Sequence, residues 1–230
     1  MAATFARPCD SARRPHLHAP IDSAHDRREL DAVHAREFAE FERICAARAR
    51  PGTVLEIGAV PSPHSLLCMR ALARAERKIG LSLDGAARFR DFEIVGGNAN
   101  AMAMFPDASF DTVLANSVLE HDPRFWETLG EIRRVARPGA LVVIGVPGYT
   151  APAPWKRAVD PLLWVPLVGS WMRRTSLLAA TPTLVVHRYP GDYYRFGEDA
   201  MREVLLAGLE RIEVTTLMFA PRIIGSGIVV

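Results

Sequence analysis

Cysteine is scarce in this sequence, and the spacings that make cysteine chemically useful are missing. The three cysteines, Cys9, Cys45 and Cys68, are odd in number and far apart. With no C-x-x-C pair and no Cys–His spacing, they read as reduced thiols of a cytoplasmic protein, and no metal site is expected. No hydrophobic run approaches the ~20 residues of a membrane-spanning helix. The first residues lack the apolar stretch of a secretory signal. Charge is nearly balanced, 28 Lys and Arg against 26 Asp and Glu, which gives no general case for nucleic acid as a partner. Glycine is sparse where a dinucleotide-binding turn needs it: after the first apolar strand only Gly58 is present, and the pattern is not G-x-G-x-x-G.

What is there suffices for one substantial α/β domain. The chain has 230 residues, 49% of them hydrophobic and 23% charged, enough for a normal core plus a tail or insertion. The organising stretch is Val54 to Pro63. A short apolar run bounded by turn residues reads as a buried parallel strand, and Gly58 lets the backbone turn and a ligand approach. Ser62-Pro63 reads as a helix start, serine as N-cap and proline in the first turn. Such a unit leaves backbone N–H groups at the carboxyl end of a strand, where open α/β sheets bind nucleotides. A turn of this kind also occurs for packing alone.

Along the chain, residues 1–24 mix Arg, His, Pro, Ala and Asp without periodicity and are expected to form a disordered tail; residues 25–230 are read as a single domain. Leu30, Val33, Phe38, Phe41, Ile44 and Cys45 fall near a helical period. That helix is expected to cover the sheet and to end before Pro51-Gly52. A helix is expected from Ser62 to about Arg77, then a second strand over 78–85 ending at Asp84. An acid at this place can accept hydrogen bonds from ribose hydroxyls; in Asp84-Gly85 it can equally be a turn residue. Further strands are expected over Glu93–Gly96, Phe110–Asn116 and Ala140–Val146. A helix opened by Asp122-Pro123 has a core stripe of Phe125, Leu129, Ile132 and Ala136. Alternating strands and helices argue for a doubly wound sheet. A helix over Glu198–Ala207, stopped by Gly208, precedes two strands, Arg211–Phe219 and Arg222–Val230.

The order Phe105-Pro106-Asp107-Ala108-Ser109-Phe110-Asp111-Thr112-Val113-Leu114, then Leu119-Glu120-His121, then Glu131-Ile132-Arg133-Arg134-Val135-Ala136-Arg137-Pro138-Gly139 resembles class I S-adenosylmethionine-dependent methyltransferases, in particular the type 11 methyltransferase domain. The resemblance covers roughly the middle half of the chain. Arg188-Tyr189-Pro190-Gly191-Asp192-Tyr193-Tyr194-Arg195-Phe196 is similar to a segment of some members. The resemblance implies a Rossmann-like methyltransferase fold: a doubly wound, mostly parallel seven-stranded sheet with an antiparallel C-terminal strand pair. It implies S-adenosyl-L-methionine as cofactor. Glu56 would lie near the methionine amino group, with Gly58 and Ala59 in the same motif. Asp84, and less so Ser82, would take the ribose hydroxyls, and Asn98 and Ala99 the adenine edge. Asn116 and Ser117 would lie beside the methionine moiety, and Glu120 and His121 would face the reaction centre. Ala59-Val60-Pro61-Ser62 replaces the family's glycine-rich turn, and the helix start at Ser62-Pro63 is expected to offer its N–H groups to the cofactor carboxylate instead.

A hydroxyl acceptor must lose its proton, and histidine is the natural base near neutral pH. His121 is the first candidate and His187 the second; capping of a helix and an ordinary loop position are the alternatives. Tyr189, Tyr193 and Arg195 are candidates for acceptor binding; for Tyr193 and Arg195, pinning the last helix is the alternative. Residues 149–190 read as an apolar insertion, with Trp155, Trp164 and Trp171 among Lys156, Arg157, Arg173 and Arg174. Over 155–174 it suits a lipid-linked acceptor or a membrane surface; a helical lid or a homodimer surface accounts for the same residues. The expected activity is methyl transfer to a small-molecule acceptor, such as a sugar or secondary-metabolite hydroxyl. A methyltransferase-like scaffold with a degenerate cofactor site is the first rival, and an NAD(P)-dependent Rossmann enzyme the second.

Overall fold

A computed structural model describes residues 24–149, 191–217 and 221–230, the side chains of 24–34 excepted. The expected tail through residue 23 and most of the 149–190 insertion, including all of 155–174, lie outside the described residues.

The chain opens with helix α1 (Ala24–Arg48). Strands β1 (Thr53–Ile57), β2 (Arg77–Ser82), β3 (Ala87–Phe89), β4 (Phe92–Gly96) and β5 (Phe110–Asn116) follow. Helix α2 (Phe125–Val135) leads straight into β6 (Ala136–Pro147). A short helix α3 (198–205) precedes β7 (Leu209–Leu217) and β8 (Arg222–Val229). All eight strands form one sheet in the order β3-β4-β2-β1-β5-β6-β8-β7. Strands β4, β2, β1, β5 and β6 run parallel, while β8 pairs antiparallel with both β6 and β7.

Strand alternation sends side chains to two cores. On one face Leu55, Ile57, Val113, Ala115, Val142 and Ile144 pack with Leu129 and Ile132 of α2 and with Met201 and Leu205 of α3. On the other, Val54, Leu114, Leu141 and Val143 pack with Phe41, Ile44 and Cys45 of α1 and with Leu66, Leu67, Met69 and Leu72. Both faces are covered, as a doubly wound sheet requires. Burial pushes the Cys45 thiol up to about 12, which suits a core residue rather than a reactive thiol.

Three sequence expectations are corrected. The helix expected from Ser62 to Arg77 is replaced by two single 3₁₀ turns, Leu66–Cys68 and Arg70–Leu72. The reason is tertiary: carboxylates from neighbouring elements take amides that a longer helix would bond internally. Glu42 of α1 accepts from Arg70 N at 3.0 Å and Ala71 N at 2.8 Å, and Glu56 of β1 accepts from Leu66 N at 3.1 Å. Met69, extended at ψ 140, separates the turns. Among the described residues the sheet has eight strands rather than seven, because residues 87–89 fold back as an antiparallel edge on β4. Finally, α3 is α-helical only over Glu198–Ala200 and then widens to a π turn over Met201–Leu205. Gly208, at φ +76, does end this region.

Outside Leu119-Glu120-His121, the string that carries the resemblance is structural. Arg134 donates to the carbonyls of Phe105 and Met102, both at 2.9 Å, and to the carboxylates of Glu131 and Asp107. Glu131 also accepts from Met102 N at 2.6 Å, so α2 holds the 98–109 loop by both partners. Arg137 meets Asp111 at 2.5 Å, and Asp111 also accepts from Thr53 N at 2.8 Å. Arg134 pulls the Glu131 carboxyl below the usual carboxylate range. A group depressed in this way stabilises above its unfolded value and loses that contribution as pH falls through the folded one. Arg134→Met should therefore cost about 2–3 kcal/mol at neutral pH, a fall in Tm of roughly 5–10 °C at this chain length. The gap from wild type should narrow below about pH 4. Thermal melts across pH check both; an unchanged Tm at pH 7 would refute the role.

Candidate active site

A cleft of about 420 Å³ opens at the carboxyl ends of β1, β2, β4 and β5. The chain leaves β1 toward β2 and β4 on one side, and β5 and β6 lie on the other. The cleft therefore stands at the topological switch point, where such sheets bind ligands. Its walls bring together Gly58, Asp84, Asn98, Ala99, Ser117, His121 and Tyr193, seven of the residues expected from the sequence.

Each is held by a local cause. Gly58 has φ +80, and a Cβ there would come within 2.6 Å of Val118 Cγ2, so any side chain would be strained and would push into the cleft wall. Its N–H donates to Leu81 O at 2.9 Å, and that of Ala59 to the same oxygen at 3.0 Å. Asp84 is exposed at the end of β2, in the turn with Gly85 at φ +109; it is a turn residue and a cleft residue at once. Asn98 Oδ1 accepts from Asn100 N at 3.0 Å. Ser117 has φ +55, rare for a residue with a side chain, and its hydroxyl accepts from Arg222 Nη1 at 3.3 Å. His121 donates from Nδ1 to Gly191 O, which assigns the tautomer by its partner.

Glu56, Ala59, Asn116, Glu120 and Arg195 do not line the cleft. Ala59 is in the core. The Glu56 carboxylate accepts from Ser65 Oγ–H at 2.5 Å and from the amides of Leu66 and Leu67 at 3.1 and 3.4 Å. This overturns the expected helix start at Ser62-Pro63: the first turn begins later, at Leu66, and Glu56 takes its N–H groups. Asn116 and Glu120 lie behind the wall in a buried ion cluster. There Glu37 of α1 pairs with Arg222 Nε at 2.8 Å and accepts from Asn116 Nδ2 at 3.2 Å. Glu120 Oε1 stands 3.8 Å from Arg222 Nη1 and 3.9 Å from His121 Nε2. Burial pushes the Glu120 carboxyl up, against its own N–H, His121, Arg222 and Arg195. Arg195 is tied to Asp192, whose carboxylate raises it further. His187 and Tyr189 lie outside the described residues.

Sequence reading missed Asn100, Asp122, Arg124, Glu37 and Arg222. Asn100 Nδ2 donates to Asp122 at 2.7 Å and to Thr128 at 3.0 Å, joining the loop after β4 to the start of α2. Asp122, expected as the N-cap, instead accepts from Arg124 N at 2.8 Å in the turn before the helix, which starts at Phe125 with Arg124 in the capping position. Glu37 carried a usable signal, since it falls on the stripe of Phe41 and Ile44, where an acid demands a partner.

Residues 61–144 match the family model described as a methyltransferase domain. Proteins of Mycobacterium avium and Mycobacterium marinum, both described as uncharacterized methyltransferases, are 42% identical over 55 residues, 24% of this chain. That stretch spans 22% of the length of these curated relatives. Among solved structures, an S-adenosylmethionine-dependent methyltransferase of Thermotoga maritima superposes with TM-score 0.55 at 15% identity, over 89% of this chain and 94% of its own. A 1,6-didemethyltoxoflavin-N1-methyltransferase of Burkholderia thailandensis does so with TM-score 0.54 at 16% identity, over 92% of each chain. Over residues 61–144 the chain is therefore similar to a methyltransferase domain, and its sheet has the fold of S-adenosylmethionine-dependent methyltransferases.

Burial raises the Glu56 carboxyl above its usual value despite its three donors. A carboxyl raised in the folded state binds its proton there more tightly than in the unfolded chain, so its contribution declines as pH rises above the unfolded value. Wild type should therefore lose stability relative to Glu56→Gln as pH rises from about 4 toward 7. Urea midpoints at several pH values measure this, and a pH-independent difference would contradict it.

Proposed function

We propose that the chain is an S-adenosylmethionine-dependent methyltransferase acting on a hydroxyl of a small-molecule acceptor. The observation that carries this reading is the convergence of Gly58, Asp84, Asn98, Ser117 and His121 on one cleft at the switch point of a methyltransferase-type sheet. The cleft suits the cofactor: Gly58 leaves backbone bare where a Cβ would strike Val118, and an exposed carboxylate stands at the rim.

On this reading Asp84 accepts from the ribose hydroxyls, Asn98 and Ala99 border the adenine, and Gly58 and Ser117 flank the methionine portion. When bound, the cofactor supplies a methyl group activated on a sulfonium sulfur. The chain's own work is then to orient the acceptor, exclude water and receive a proton. His121 is the base, taking the acceptor proton at Nε2 while its Nδ1–H stays on Gly191 O. Sugars and other secondary metabolites are the acceptor classes in view, and the cytoplasm is the proposed location. The rival scaffold reading draws on one observation: Glu56 occupies the amides of Leu66 and Leu67, which a glycine-poor turn would otherwise offer to a ligand carboxylate.

Calorimetric titration with S-adenosylhomocysteine tests this. Wild type should bind at about 10 µM or tighter, roughly −7 kcal/mol. Asp84→Ala should bind about 10- to 100-fold more weakly through loss of charge-assisted hydrogen bonds. Absence of heat and of thermal stabilisation at millimolar ligand would leave the scaffold. Once an acceptor is in hand, His121→Gln should keep S-adenosylhomocysteine affinity within about twofold. Its turnover should fall about 100-fold or more, as for a lost general base; retained turnover would remove His121 from that role.

A further inference from the structure

The segment 191–196 is built as a clamp on the cleft. Tyr193 N and Tyr194 N both donate to Glu120 O, at 2.8 and 3.3 Å, and His121 Nδ1–H donates to Gly191 O. Asp192, its side chain 2% exposed, forms a two-point ion pair with Arg195, and Arg195 Nη1 also donates to Tyr194 O at 2.8 Å. Tyr194 is pinned in turn, its hydroxyl donating to Pro123 O at 3.1 Å and its ring edge-on to Phe125 at 5.0 Å.

One side chain of this clamp is not used in holding it. Tyr193 is 55% exposed and lines the cleft. One side of its ring lies on Gly191, where a Cβ would come within 2.6 Å of ring atoms. Gly191 therefore does two things: its missing side chain seats the Tyr193 ring, and its carbonyl orients the imidazole of His121. Two aromatic rings at the same end of one cleft thus share one support. Leaving half a tyrosine ring in water gains the fold nothing, while a backbone fixed at this many points sets where the ring stands. A ring held in this way can cover the face of a flat ligand at little entropic cost.

We propose that Tyr193 is the acceptor platform: the cleft takes a planar, hydroxyl-bearing ring of the phenol class, stacked on Tyr193 with its hydroxyl toward His121. This rests on the methyltransferase reading and names its substrate class. Asp192 and Arg195 are positioning residues that fix the platform and do not themselves touch the acceptor.

The test uses phenol and cyclohexanol, rings of equal carbon number with the same hydroxyl but different shape. Each is titrated by ligand-observed NMR into the full chain, with and without saturating S-adenosylhomocysteine, whose own affinity is measured by calorimetry. Phenol should bind roughly fivefold or more tightly than cyclohexanol. Tyr193→Phe should keep this preference and Tyr193→Ala should lose it, with S-adenosylhomocysteine affinity within about twofold of wild type in both. Equal binding of the two probes, no phenol binding, or a preference that survives Tyr193→Ala overturns the proposal. So does a Tyr193→Ala variant that loses S-adenosylhomocysteine, since Tyr193 would then be a cofactor contact. A wild-type chain that prefers phenol through Tyr193 but gives no heat with S-adenosylhomocysteine supports the platform and fails the cofactor reading alone.

Discussion

The arrangement depends most on one guanidinium. Arg222 on β8 reaches Glu37 on α1 and Ser117 after β5, with Glu120 close by. Glu37, the residues after β5 and Arg222 are far apart in sequence, and the contacts gather them at one wall of the cleft. Glu37 is 1% exposed and Glu120 2%, so neither carboxylate can rely on water. Removing two acids from solvent costs several kcal/mol each, and such pairs often add little net stability. What they add here is geometry, because α1, the end of β5 and β8 cannot shift independently without stranding a buried charge.

The same cluster explains why the residues after β5 can stand as they do. Ser117 in a left-handed conformation and Glu120 Oε2, which is buried with no hydrogen-bond partner among the described residues, are both unfavourable. Neither would persist without rigid surroundings. The parallel ladder of β5 with β1 and β6 supplies that rigidity from below, and Arg222 supplies it from the side. The strain falls at the cleft, between the residues that line it and the ion cluster behind them.

The fold was legible because its signals are local. Apolar runs bounded by turns located β1, β5 and β6, and the stripe through Leu129 and Ile132 located α2. The long family string was legible too, and the contacts of Arg134 and Arg137 show why its flanking parts are specific: they encode how α2 grips the loop before β5, while Leu119-Glu120-His121 brings His121 to the cleft. What was not legible depends on partners distant in sequence. The 62–77 stretch has helical composition, and nothing within it reports that Glu42 and Glu56 will take its amides. Strand β3 is too short to have a period. Glu37 and Arg222 are separated by most of the chain, and only the fold makes them neighbours.

The glycine-poor turn after β1 follows from the same competition for amides. The N–H groups of Gly58 and Ala59 are committed to Leu81 O, and those of Leu66 and Leu67 face Glu56. An anionic ligand group arriving here therefore meets few uncommitted donors from this loop, whatever its glycine content. On the proposed reading, recognition rests more on Asp84 and Asn98, which present side-chain polar groups to the cleft from the ends of β2 and β4. Side chains at strand ends tolerate a stiff, proline-containing loop next door, since they do not need its backbone to move. On the proposed reading, a carboxylate at Asp84 and a bare backbone at Gly58 are thus the two features the cleft can least do without, and Val60-Pro61 can vary at smaller cost.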